Sequence, residues 1–226
     1  MIIDILSLFP GYFKGPFDES MIKRAREKGI LDIRLVDIRD FADNRHHRVD
    51  DRQFGGGPGM VMTSQPVTAA IRHVRSPVSR VIYLSPQGSL LNAAKCRELA
   101  QCEHLILLCG HYEGIDQRVL DNEVDEEICI GDYVLTNGCL AAIVLLDAVS
   151  RFIPGVLGHA SAAEEDSFEK GILDCPHYTR PEVFEGCNVP QVLLSGNHAE
   201  IARWRHEQAL KKTLMKRPDL FNKIKD

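Results

Sequence analysis

The densest chemistry in the chain lies between residues 164 and 185. Glu164, Glu165, Asp166 and Ser167 open that stretch, and Asp174, Cys175, His177, Tyr178, Arg180 and Pro181 follow. No apolar run there is long enough to bury, so it is not a core strand. Gly171, Pro176, Pro181 and Gly186 would interrupt any helix. Polar groups held in an irregular segment between regular elements are where binding and catalysis concentrate. A solvated linker is the competing reading, and composition alone does not separate the two.

Two further sets of residues have a chemical reading. FGGGPGM, residues 54 to 60, lacks the Gly-Lys-Ser/Thr ending of a phosphate-binding P-loop, yet its glycines let backbone approach a ligand or another chain closely. LSPQG (84–88), CGHYEG (109–114) and IGDYVLTNG (130–138) each follow a strand-like run. Each alone reads as an ordinary strand exit. Three together, at the carboxyl edge of an open sheet, make a pocket for a flat polar cofactor. Leu84, Tyr112, Tyr133 and Leu135 would pack against it.

The elements needed to position these loops are legible. Strand-like runs fall at 2–9, 31–38, 80–86, 104–110 and 126–131, and several are apolar almost throughout, as a sheet covered on both faces requires. Between them lie helical stretches: FDESMIKRAREKG ending on Gly29, SQPVTAAIRHVR with Ser64 as cap, NAAKCRELAQ with Asn92 as cap, and the apolar LAAIVLLDAVSRF. The alternation predicts an α/β fold with a mainly parallel sheet. After Pro154 the strand signal stops. HAEIARWRHEQALKKTLMKR reads as a basic amphipathic helix with Ile201, Trp204, Leu210 and Leu214 on its apolar side. The expected division is an α/β domain over 1–157, a linker over 158–169 and a small helical domain over 170–226.

Bulk properties narrow the function class. The 226 residues carry a net charge of −5, which argues against indiscriminate nucleic-acid binding. Basic residues are instead clustered: Arg45, His46, His47, Arg48 and Arg52 near the start, and eight basic against four acidic residues from Ala199 onward. Such patches suit selective contact with a shaped polyanion, although a solvated helix face would look the same. The seven cysteines form no CxxC and lie mostly in apolar runs, so reduced, buried thiols in a cytoplasmic protein are expected. The start MIIDILSLF lacks the basic n-region of a signal peptide, and Cys139 to Leu146 is too short to span a membrane.

YLSPQG, CGHYEGIDQRV, DEEICIGDYVL, VSRFIPGVLG, EDSFEKGILDCPHYTRPEVFEG and VPQVLLSGNHAEIARWR, with LSLFPGYF and RVDDRQFGGGPGM before them, closely resemble the bacterial tRNA (guanine-N1)-methyltransferases of TrmD type. The resemblance runs from about Ile2 to Arg217. It implies a SPOUT-type α/β domain tied in a deep trefoil knot, a topology that general folding rules would exclude. It also implies S-adenosyl-L-methionine as methyl donor, a requirement for magnesium, and an antiparallel homodimer with shared active sites. The implied substrate is tRNA carrying guanosine at position 37, next to another guanosine, and the implied location is cytoplasmic, with no membrane association.

Carried over residue by residue, the resemblance makes Asp166 the general base and Arg151 the group that steadies charge on O6. Their bland readings are a cap on a helical start at SFEKGIL for Asp166, and for Arg151 a pair with a linker carboxylate that holds the domains together. The cofactor positions are Tyr83, Leu84, Ser85, Pro86, Gly110, Tyr112, Glu113, Ile130, Gly131, Asp132, Tyr133, Val134, Leu135 and Gly138. The RNA-binding positions are Gly56, Gly57, His177, Tyr178, Arg180, Ser195, Asn197, His198, Arg203, Arg205, Lys211 and Lys212. Glu113, Glu164, Glu165 and Asp166 are the acidic residues available to magnesium, and no spacing defines a metal site. One departure stands out: relatives read SGGELP after IGDYVL, where this chain has TNGCLA with Asn137, Cys139 and Ala141. Two other readings stay open, a related SPOUT enzyme with a different RNA target and an RNA-binding module without catalysis.

Overall fold

The computed structural model describes residues 1–158, 163 and 165–222. Glu164, Lys223 and Lys225 lie outside the described residues. The chain divides into two compact units, Met1–Gly158 and His159–Asp226. In chain order the first contains β1 (Ile2–Ser7), α1 (Ser20–Glu27), β2 (Asp32–Asp37), β3 (Asp50–Asp51), β4 (Val61–Met62), α2 (Ser64–Val74), β5 (Ser79–Leu90), α3 (Ala93–Leu99), β6 (His104–Cys109), α4 (Gln117–Glu123), β7 (Glu126–Cys129) and α5 (Cys139–Ser150). The second contains β8 (Val183–Phe184), β9 (Cys187–Asn188), α6 (Gln191–Leu194), α7 (His198–Lys216) and α8 (Asp219–Asn222).

Five strands form one sheet in the order β2-β1-β6-β5-β7, and every neighbouring pair is parallel. Alternate side chains of the inner strands feed two cores, which is why β1, β6 and the first half of β5 are apolar almost throughout, while the edge strands β2 and β7 carry charges. Ile3, Ile5, Ile82, Leu84, Leu105, Leu107 and Ile128 pack against α3 and α5 on one face, while Leu6, Val81, Tyr83, Ile106 and Leu108 pack against α2 and α4 on the other. In α5, Leu145 and Leu146 are fully buried, each worth roughly 2 kcal/mol of transfer free energy. Leu140 and Val144, on the opposite side of that helix, are about half exposed.

The amino-terminal edge of the sheet carries a buried polar line. His104 Nε2 lies 2.7 Å from Asp4 Oδ2 and His104 Nδ1 lies 2.8 Å from Ser79 Oγ. The arrangement has the outline of a hydrolytic triad, but Ser79 Oγ also accepts from Ser76 N at 2.7 Å. It sits at the end of the sheet away from the strand exits, where it ties β1, β5 and β6 together.

The five strands and the helices at 17–29, 64–75, 92–101 and 140–152 stand where the sequence places them, within the usual fraying of ends. Gly29 follows α1 at φ +69°, and Asn92 Oδ1 caps α3 by accepting from Lys95 N at 2.9 Å. Four expectations are corrected. Thr63, not Ser64, occupies the cap of α2, because its N–H is drawn to Val49 O at 2.8 Å and holds it extended. LSPQG is not a loop after a strand but a bulge within β5, which leaves β7 after Leu84 and rejoins it at Ser89. In α7, Leu214 is exposed and the buried positions are Ala209 and Thr213. Thr213 tolerates burial because its hydroxyl donates to Ala209 O at 2.7 Å and accepts from Leu173 N at 2.8 Å. SFEKGIL forms successive turns, with Gly171 N on Phe168 O at 3.1 Å, rather than a helix for Asp166 to cap.

Candidate active site and RNA-binding clefts

In the first unit a cavity of ≈210 Å³ opens where β5, β6 and β7 end. Its lining includes Tyr83 to Pro86, Gly110 to Gly114, Ile130, Gly131, Tyr133 to Gly138 and Ala141. Thirteen of the cofactor positions carried over from the resemblance therefore share one cavity, and Asp132 is the exception. Glycines let the neighbouring segments approach closely. A Cβ on Gly138 would lie 2.9 Å from Cys109 Cα, and one on Gly110 would lie 2.7 Å from the Tyr83 hydroxyl. A Cβ on Gly88 would strike the backbone of Glu127 and Ile128. Gly138 N also donates to Gly110 O at 2.9 Å, joining two of the three loops.

Side chains add selectivity at the edges. Tyr112 adopts φ +58°, a left-handed conformation for a non-glycine residue, as strained positions at ligand sites do. His111, inside the CGHYEG segment, packs edge-on between Phe9 at 4.9 Å and Tyr112 at 4.4 Å. Its Nδ1 is buried without a hydrogen-bond partner among the described residues. A buried, unsatisfied nitrogen in a cavity wall fits a polar ligand. Burial, reinforced by the Glu127 carboxylate, pushes the Tyr83 hydroxyl up to about 12. Beneath the floor, the hydrogen-bonding partner Cys139, and then burial, push the Cys109 thiol well above its ordinary value.

The departure at TNGCLA is locally satisfied. Asn137 Oδ1 accepts from Cys139 N at 2.9 Å and so caps the entry to α5. The FGGGPGM loop reaches the same region: Glu113 N donates to Met60 O at 2.9 Å, and Gly59 lies so close to Glu113 that a Cβ would collide with its side chain. Gly56 and Gly57 are exposed in that loop at φ +78° and +123°, beside a fully exposed Phe54. Arg151 closes α5 as its C-cap residue.

The second unit carries two clefts of ≈490 Å³ each. One holds Glu165, Asp166, Lys170, Asp174, Cys175 and His206 among its lining. The other runs from Pro176 to Glu182 and along α6 and α7. His177 Nε2 lies 2.6 Å from Asp174 Oδ2. Against the opposing pull of burial, that bond and the Cys175 N–H hold the Asp174 carboxyl below the usual carboxylate range. Tyr178 leans on Trp204, with ring centroids 6.3 Å apart.

The remaining RNA-binding candidates divide. Arg203 and Lys211 are exposed on α7, where Arg203 lies 4.0 Å from Glu207. Lys212 instead donates to Asp174 O at 3.0 Å, so part of its capacity is spent within the unit. Ser195 and Asn197 shape the turn into α7: Asn197 N donates to Ser195 Oγ at 3.1 Å, and Asn197 Oδ1 accepts from Glu200 N. His198 is the first residue of that helix.

A parallel α/β sheet whose strand exits form a glycine-lined cavity, followed by a charged helical unit, defines a nucleotide-cofactor-binding protein. A family model described as tRNA (Guanine-1)-methyltransferase TrmD matches residues 1–223, and the chain belongs to that family of methyltransferases. It is 81% identical, over 98% of its length, to a protein of Protochlamydia amoebophila named tRNA (guanine-N(1)-)-methyltransferase, which it covers completely. It is 60% identical to a protein of that name from Chlamydia pneumoniae, and 58% identical to one from Chlamydia trachomatis serovar D, each over 98% of this chain. The chain spans 61% and 62% of the length of those two relatives. No helix among the described residues is long and apolar enough to cross a membrane, and all seven cysteines are unpaired, five of them buried.

Proposed function

We propose that this chain transfers a methyl group from S-adenosylmethionine to N1 of the guanosine at position 37 of tRNA. The observation that carries the reading is the family match along almost the whole chain, with a fully covered relative of that name at 81% identity. In this reading the first unit holds the methyl donor and the second grips tRNA. The segment at 158–169 supplies the base.

The cavity at the strand exits fits the donor. Its lining brings together segments from 83–86, 110–114 and 128–138, with apolar surface from Leu84 and Leu135 and an unsatisfied buried nitrogen on His111. S-adenosylmethionine, when bound, supplies an electrophilic methyl group. The other requirements fall on this chain's own residues. Guanine N1 carries a proton at neutral pH and is a poor nucleophile until that proton leaves. Asp166 accepts it, and the Arg151 guanidinium meets the negative charge that moves towards O6. The hydrogen-bonded entry to α5 at Asn137 supports an intact pocket over a module without catalysis.

Magnesium belongs to the reading only through the family. Among the described residues, the one cluster with metal-like spacing is Asp174, Cys175 and His177, whose ligand atoms lie within 4.8 Å of one another. That mixture of sulfur, nitrogen and oxygen does not suit a hard cation that prefers oxygen ligands. No step is therefore assigned to the ion. Homodimer formation is also part of the proposal, supported by the apolar, half-exposed Leu140 and Val144 and the largely exposed Val134. So are the deep trefoil knot, which crowding at Gly88 and Gly138 supports, and a cytoplasmic location, which unpaired thiols suit.

The test is transfer of labelled methyl to two tRNA transcripts, one with guanosine and one with adenosine at position 37. Incorporation into the first alone is expected. Incorporation into both would replace this reading with a related enzyme acting elsewhere on the RNA. Incorporation into neither, with cofactor binding confirmed, would favour the non-catalytic module.

A further inference from the structure

Asp174, Cys175 and His177 bring three different donors to one point. A carboxylate oxygen, a sulfur and an imidazole nitrogen lie within 4.8 Å of one another. All three residues line the cleft that holds Asp166. We propose that they form a binding site for a borderline-soft divalent cation of the zinc type. This ion is not the magnesium implied by the family, and the test below does not depend on the methyl-transfer reading.

The donor set selects the ion. Sulfur and nitrogen hold zinc and cobalt(II) well, whereas magnesium keeps oxygen ligands and water. Zinc bonds of about 2.0–2.3 Å in a tetrahedron set ligand atoms about 3.3–3.5 Å apart. Asp174 Oδ2 and His177 Nε2 sit closer than that, at 2.6 Å. Opening them is left to His177, whose side chain is 72% exposed, while Cys175 is buried and stays in place. On binding, the Cys175 S–H bond breaks as the metal–sulfur bond forms, and the proton leaves to solvent. Asp174 and the neutral His177 donate lone pairs. Water, or the exposed His206 that lines the same cleft, can complete the coordination.

The loop that carries these donors is already fixed. Asp174 N donates to Ser167 Oγ at 3.0 Å, Asp174 O accepts from Lys212 Nζ at 3.0 Å, and Leu173 N donates to Thr213 Oγ1 at 2.8 Å. Asp174 Oδ1 accepts from Cys175 N at 2.6 Å, which leaves Oδ2 for an ion. Pro176, between two of the ligands, has its φ set by its own ring. The donors fall within four residues, so gathering them costs little chain entropy. Charge does not oppose a cation either. Glu165, Asp166 and Asp174 line the cleft against Lys170 and Arg205. A hydrogen-bonded pair of Asp174 and His177 would steady the loop by itself, but it would not call for a sulfur beside it.

The experiment titrates the full chain, freed of metal by a chelator, with cobalt(II) and follows its absorption. The wild type should bind a single equivalent and show the near-ultraviolet band of thiolate-to-cobalt charge transfer. Stoichiometric zinc should abolish the band, and a large excess of magnesium should not. Cys175→Ser should lose it. His177→Asn changes an exposed position and should weaken cobalt binding at least about tenfold. Cys187→Ser removes the exposed thiol and should match the wild type. Absence of the band in the wild type overturns the proposal. So does a band that survives Cys175→Ser or vanishes in Cys187→Ser, since the sulfur ligand then lies elsewhere. Unchanged affinity in His177→Asn overturns it as well, and that variant decides the matter if Cys175→Ser does not fold.

Discussion

The two units build their sites from different material. In the first, each of the three segments that line the cavity lies beside or contains a glycine, and at Gly110 and Gly138 a side chain would meet a neighbour at under 3 Å. In the second, the clefts are made of side chains: carboxylates, imidazoles, guanidinium groups and a braced tyrosine. A glycine-closed pocket fixes shape and recognises a constant ligand. A side-chain cleft fixes charge and edge chemistry, and can be adjusted one residue at a time. The difference suits a protein that takes one invariant small molecule and one particular site on a large RNA.

The contrast can be broken most severely at Asp166. Replacing it by alanine should lower single-turnover methyl transfer by about 10³-fold and leave cofactor affinity, measured calorimetrically, within twofold. Loss of both together would mean that Asp166 supports the pocket and not the proton transfer. The complementary change is Gly138→Ala. Because the new Cβ meets Cys109 Cα and not a flexible tip, the loop must shift. Cofactor affinity should then fall by about a hundredfold, the scale on which a small misplacement acts, while binding of an RNA stem–loop to the second unit persists.

Tyr83 sharpens the same contrast through pH. Its hydroxyl, at about 12 in the folded chain, would titrate near 10 when unfolded. The stability it contributes is therefore fully present below pH 10 and lost as pH rises towards 12. About 2–3 kcal/mol should disappear over that window. Tyr83→Phe should remove most of this loss, read by urea unfolding at pH 9 and at pH 11.5. A smaller effect is expected on the basic face of α7. Lys211→Glu should weaken tRNA binding and reduce the slope of log K against log salt by about one. Lys212 is the poorer choice, since its bond to Asp174 O couples any loss of binding to a loss of local structure.

The sheet was readable because its inner strands, β1, β6 and the first half of β5, are buried on both faces and so lose the polar alternation that marks exposed strands. The segments that line the cavity stood out by their glycines; CGHYEG and IGDYVLTNG follow β6 and β7, whereas LSPQG is a bulge within β5 that a strand-then-loop reading does not anticipate. His111 lies within the loop at 110–113 that the sequence marks out, but its type and spacing give it no individual role; the unpartnered Nδ1 does so. In α7, a period-based reading put Leu214 inside and overlooked Thr213, because hydropathy does not register a hydroxyl whose two bonds are met by Ala209 O and Leu173 N. The clefts of the second unit were invisible as clefts. Their walls come from 165–182, 189–194 and 201–209, and no local pattern connects such distant segments.

The glycine-closed walls of the first cavity also bear on inhibition. A competitor of the methyl donor that packs against the cavity floor where Gly110 and Gly138 meet would address a surface set by main-chain geometry. At Gly138 substitution cannot add bulk against the inhibitor without displacing backbone, because the new Cβ would lie 2.9 Å from Cys109 Cα. Resistance would have to arise at Tyr112, Tyr133 or Val134, where exposed side chains leave room for change.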